Sequence, residues 1–137
     1  MGSYEAAISL TYVVITGPLE GVVYERYIFS AEVSPITTTL PLNYIWQATD
    51  QIAVTHTSGL SDTHIINWDM YGMKLITLTV TNPGGSVVDT SFVMIDDVPI
   101  TGLEAYNDSP TLLGKSTTLS ATIEEGTNVN YSWDFGY

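Results

Sequence analysis

The chain has 137 residues, 45% of them hydrophobic, and a formal net charge of −12. Fifteen acidic side chains against only Arg26, Lys74 and Lys115 exclude nucleic acid and anionic lipid surfaces as partners, because both need clustered cations. Cysteine is absent, so disulfides, thiol nucleophiles and thiolate metal sites are excluded, and no apolar run approaches the roughly 18 residues that insert into a membrane.

Residues 8–16 read as a strand with Ile8, Leu10, Tyr12 and Val14 on one face, turned by Gly17-Pro18. Residues 26–33 alternate Tyr27, Phe29, Ala31 and Val33 inward against Arg26, Ser30 and Glu32 outward. Pro35 and Pro41 bracket a Thr-rich loop, and residues 42–48 form the next strand, around Trp46. A short edge strand is expected at 52–55, a turn at 56–59 and another strand at 64–68. Residues 75–81 alternate Leu75, Thr77, Thr79 and Thr81 with Ile76, Leu78 and Val80, and Asn82-Pro83-Gly84-Gly85 turns the chain into a strand over 87–95. Asp96-Asp97-Val98-Pro99 is a junction stiffened by the proline, followed by strands near 100–106, 117–123 and 129–135. Short strands joined by turn signals, with no helical stripe, give an all-β sandwich.

The chain also repeats itself. Tyr44-Ile45-Trp46 returns as Tyr131-Ser132-Trp133, and Phe29-Ser30-Ala31 returns as Leu119-Ser120-Ala121. The shift is 90 positions over the early strands and 87 at the tryptophans. Tyr131-Ser132-Trp133-Asp134-Phe135-Gly136 resembles the strand motif of PKD-type domains, the Ig-like sandwiches named after polycystic kidney disease protein, departing from it at Tyr137. The first copy has Gln47-Ala48 in place of Asp-Phe, but adds Gly72, the run from Leu75 to Asn82, and Gly84-Gly85-Ser86. The resemblance implies an Ig-like (PKD-type) antiparallel β-sandwich over 1–97 and the N-terminal half of a second copy over 98–137. It also implies an extracellular repeat module, a spacer or adhesive unit. Met1-Gly2-Ser3 has neither the charged nor the apolar region of a secretory leader, so an extracellular module would be an excised piece of a longer protein.

Little in the sequence points to catalysis. No Gly-x-Ser-x-Gly elbow is present, and His56 and His64 read as solvated histidines without an acidic partner motif, which also makes a poor zinc site. Glu124-Glu125 before Gly126 suits a solvated hairpin end rather than a glycosidase pair. No cofactor is expected. Asp96 and Asp97 are the Ca²⁺ candidates, although neighbours in an extended strand point apart. Tyr44, Trp46, Tyr131 and Trp133 are expected to anchor the cores. Trp68 and Tyr71 are candidates for stacking on sugar rings, with core or rim packing the competing reading of Trp68.

The expected function is therefore a non-catalytic structural and interaction module contacting neighbouring modules of its parent protein, with a carbohydrate-binding sandwich as the alternative. Residues 98–137 carry apolar positions patterned for burial and lack half a sandwich to cover them. Pairing with a second copy of the chain, as a homodimer, or packing against the first domain is the expected relief, with partial disorder as the competing outcome.

Overall fold

Strand β4 (Leu42–Ala48) buries Leu42, Tyr44, Trp46 and Ala48 and exposes the residues between them, the period of two that a half-buried strand imposes. The computed structural model describes residues 6–136, so the leader reading at Met1-Gly2-Ser3 and the motif departure at Tyr137 lie outside the described residues. The chain divides into two units, the first ending at Asp96 and the second beginning at Asp97. Among the described residues all regular structure is β.

The first unit is an Ig-like sandwich of two sheets. One contains β1 (Tyr12–Thr16), β3 (Tyr27–Ser34) and β6 (Ser61–Ile66), in that order. The other runs from β2 (Glu20–Val22) through β8 (Gly85–Asp96), β7 (Gly72–Asn82) and β4 to β5 (Val54–Ser58) at its edge. Phe29, Ala31, Val33 and Ile66 face inward from the first sheet, and Tyr44, Trp46, Ile76, Leu78, Val80, Val93 and Ile95 from the second. Phe29 meets Trp68 edge-to-face with ring centroids 6.3 Å apart. Position 74 is also inward. Its lysine lays a buried stem along the core and donates from Nζ to the exposed Asp50 Oδ2 at 2.8 Å.

Two strand readings need correction. In β1 the inward residue is Val13, while Ile8, Tyr12 and Val14 are exposed. Val13 pairs with the inward Val33, and this register decides its face; the regular ladder starts only at Tyr12, so the alternation does not run unbroken from Ile8. The turn expected at 56–59 is instead the end of β5, and the chain turns at 59–60.

In the second unit β9 (Glu104–Asn107) pairs antiparallel with β10 (Leu119–Thr122). The register repeats that of the first unit, since Ile15↔Ala31 reappears 90 positions later as Ala105↔Ala121. No strand forms over 129–135, however. Tyr131 and Trp133, expected in a core, are 50% and 44% exposed. Alternation fixes which face a residue occupies, and burial needs a layer on that face. Tyr44 and Trp46 obtain theirs from the opposite sheet and from β7 alongside, whereas no strand follows β10 among the described residues.

The two tryptophans should therefore respond differently to truncation. Trp46→Ala is expected to cost about 3–5 kcal/mol in urea unfolding, the usual loss for a buried large aromatic. Trp133→Ala should cost less than about 1 kcal/mol, as at other partly exposed positions. Equal losses would contradict the difference in cover.

Candidate functional site

The turn at 59–60 carries the chain from β5 in one sheet to β6 in the other, and this crossing brings His56, Asp62 and His64 together. The Tyr44 hydroxyl fixes the turn by donating to the Gly59 carbonyl at 2.6 Å. Alternation then places His56 on β5 and Asp62 and His64 on β6 toward the same space. Asp62 Oδ2 lies 2.7 Å from His56 Nδ1 and accepts the Trp46 indole N–H at 2.8 Å. An ionised carboxylate only accepts, so the neutral His56 ring carries its hydrogen on Nδ1. The His64 ring lies 5.6 Å from Trp46 at a 33° tilt and 5.3 Å from His56, edge-on.

Neither histidine is the solvated loop residue that the sequence suggests. Both lie in strands, and His56 has an acidic partner. The pair Asp62-x-His64 does put an acid and an imidazole on one face, but only the crossing of β5 and β6 brings His56 to them. Burial, reinforced by the neighbouring His56 and opposed by Asp62, holds the His64 imidazole below its usual 6.5. Burial, with Asp62 adding to it, pushes the Tyr44 phenol up to about 12. An acid–imidazole pair needs a nucleophile to work as a hydrolytic site. Among the described residues no hydroxyl hydrogen-bonds to either imidazole, and the nearby Ser58 donates to the Ser61 carbonyl. The cluster joins two sheets.

The remaining candidates separate in the structure. Trp68 is 1% exposed and donates to the Thr49 carbonyl at 2.9 Å, so it belongs to the core and offers no face to a sugar. Tyr71, at 57% exposure, is left alone as a stacking surface. Asp96 ends β8 opposite Val22. Asp97 accepts from Thr127 Oγ1 at 2.8 Å, and the same oxygen receives the Val98 amide. Among the described residues no group of three or more His, Asp or Glu side chains is arranged to hold a metal ion. One surface was missed from sequence. On the outer face of the larger sheet Met73 stands opposite Met94 and Leu75 opposite Phe92, all exposed. These are cross-strand apolar pairs open to a neighbour.

Two measurements follow. The folded state holds His64 less basic than the unfolded chain, so it binds fewer protons below neutrality. That stability is whole above about pH 6.5 and is lost as the pH falls through the lowered value. Between pH 7.5 and 5.5 the urea midpoint should drop more for the wild type than for His64→Gln, and parallel curves would remove His64 from this role. Millimolar Ca²⁺ should raise the melting temperature by only a few degrees; a large saturable rise, lost in the Asp96→Asn/Asp97→Asn double variant, would make the pair a metal site.

The chain is similar to solved sandwich domains, among them the following two. The PKD domain of an M14-like peptidase from a Thermoplasmatales archaeon superposes with a TM-score of 0.56 at 15% identity, covering 66% of this chain and 99% of that one. The CARDB domain of a Pyrococcus furiosus protein, solved in complex with di-metal ions, gives a TM-score of 0.49 at 16% identity, covering 69% and 98%. No family model and no curated protein matches the chain. The likeness is one of fold, and that fold is the PKD-type, Ig-like sandwich.

Proposed function

We propose that the chain is a non-catalytic spacer and interaction module of a larger secreted or cell-surface protein. The observation that carries this reading is the path of the chain through the first unit. At one end Ser9 Oγ donates to the Gly84 carbonyl at 2.6 Å and Asn82 Nδ2 to the Ile8 carbonyl at 2.8 Å, beside the start of β8. At the other end Val22 stands opposite Asp96, where β8 stops and the chain leaves. The two ends are separated by the length of β8, 12 residues or roughly 40 Å of extended strand. A polypeptide that comes in at one end of a sandwich and leaves at the other adds that length to the array it belongs to.

The load path suits the same role. Strand β2 runs parallel to β8, and the bonds Met94 N to Leu19 O and Val23 N to Asp96 O, both 2.9 Å, bracket the pairing. Tension between the two ends shears these bonds together rather than opening them one after another. Pro99 then restricts the backbone just beyond the junction. Residues 97–137 would begin the next module, as the repeated β-pair register supports. The exposed Met73, Leu75, Phe92 and Met94 face would serve contact with a neighbouring module or protein. The acidic surface would keep such an array soluble.

The absence of cysteine makes a direct test simple, because two introduced cysteines become the only attachment points. With handles at Ala6→Cys and Asp96→Cys, single-molecule stretching of the full chain should show one abrupt step. About 90 residues would be released, a gain of roughly 280 Å once the folded length is subtracted. Gradual lengthening without a step would exclude a load-bearing spacer.

A further inference from the structure

The outer face of the larger sheet carries almost no charge. None of the outward side chains of β4, β5 and β7 is charged, and on β8 only Asp96, its last residue, is. Lys74, the one lysine or arginine of these four strands, is turned into the core and pairs with Asp50. A solvated sheet face ordinarily mixes charged residues among its polar ones, and this chain has a net charge of −12. The apolar positions of the face lie in register. Met73 stands opposite Met94 and Leu75 opposite Phe92 toward one end, and Thr79 lies between Ile45 and Val88 toward the other. Phe92 and Val88 are each 59% exposed. With ~4.8 Å between strands and ~3.4 Å per residue, four strands along the 11 residues of β7 make a face of roughly 600 Å². Two such faces bury about 1,200 Å² together, the lower bound for specific association.

We propose that the first unit pairs with a second copy of the chain through this face, about a two-fold axis running along the strands between β7 and β8. Such an axis sets Met73 against the partner's Met94 and Leu75 against the partner's Phe92. One apolar cluster thereby covers its own copy, and the contact closes at two. Aligned sheets stack about 10 Å apart, a gap that side chains of this size fill. Charge favours this occupant over an oppositely charged protein. A partner chosen by ion pairing has nothing to pair with across the face, whereas a second copy sets an uncharged surface against an uncharged surface. The repulsion that remains comes from the rim, at Glu20 and Asp96, and from the net charge. It is screened within ~8 Å at physiological ionic strength. Pairing of this kind tightens with salt, while a contact held by ion pairs loosens. The pairing rests on the contact role given above to this face; the load-bearing role is read on single molecules and stands or falls without it.

Sedimentation velocity of the full chain from about 1 to 300 μM should show a reversible monomer–dimer equilibrium with a micromolar midpoint. Raising NaCl from about 0.05 to 0.5 M should tighten it severalfold. Phe92→Lys and Leu75→Glu, both at outward positions, should each weaken the dimer about tenfold or more. Neither should move the urea midpoint of the monomer appreciably. Position 75 of one copy faces position 92 of the other, so an equal mixture of the two variants should associate more tightly than either alone. A monomer at every concentration and salt overturns the proposal. A dimer that Phe92→Lys leaves intact overturns it as well, and places the association on another surface. So does a mixture no tighter than its components.

Discussion

A tryptophan can fill the space between two sheets only if its N–H finds an acceptor there, and in the first unit two indoles meet this condition in opposite directions. Trp46 on β4 reaches across to Asp62 on β6, and Trp68, just after β6, reaches back to the carbonyl of Thr49, just after β4. The two contacts lock the same pair of strands across the core. Asp62 is mostly buried and takes a second donor in His56, so its charge is met from both sides. Tyr44 and Phe29 fit around these rings, and the turn at 59–60 is pinned by the Tyr44 hydroxyl. Loss of Trp46 would leave Asp62 with His56 alone, loss of Trp68 would free the half-buried Thr49 carbonyl, and either would open a void.

The second unit, in which no strand follows β10 among the described residues, differs. The pairing of β9 with β10 shows that the early strands find their register without β7, through local antiparallel contacts alone. The later aromatic segment has no strand beside it among the described residues and is itself not in a strand. Strand identity in this fold is thus a property of a neighbour as much as of the alternating residues themselves.

The strands most legible in the sequence were those with one face fully buried. Residues 42–48 and 75–81 alternate apart from the outward Ile45 and Leu75, and β4 and β7 each bury every second residue over these stretches. Strand β2 escaped notice because Glu20, Gly21 and Val22 carry no pattern; they are in strand only because β8 lies alongside. The first strand was misread by phase, since Leu10 and Val13 are both buried and three apart. The Asp62 cluster depends on which sheet each half of the β5–β6 turn joins, a topological fact with no local signal. Trp133 carried the right motif for a core, but a motif cannot state whether the rest of the core is present. The Met73, Leu75, Phe92 and Met94 face also needed the β7–β8 register to become visible.

One buried amide has a bearing on how the molecule ages. Asn82 donates both Nδ2 hydrogens, to the carbonyls of Ile8 and Thr39, and its Oδ1 accepts the amides of Gly84 and Gly85. Conversion to aspartate would remove both donors and set a charge against two carbonyls, loosening the segment before β1, the Thr-rich loop and the turn at once. Asparagine ordinarily makes that conversion when the next backbone nitrogen attacks its side chain, which requires that nitrogen to carry a hydrogen. The next residue here is Pro83, whose nitrogen has none. The proline that shapes the turn therefore also shields its most connected side chain from spontaneous deamidation.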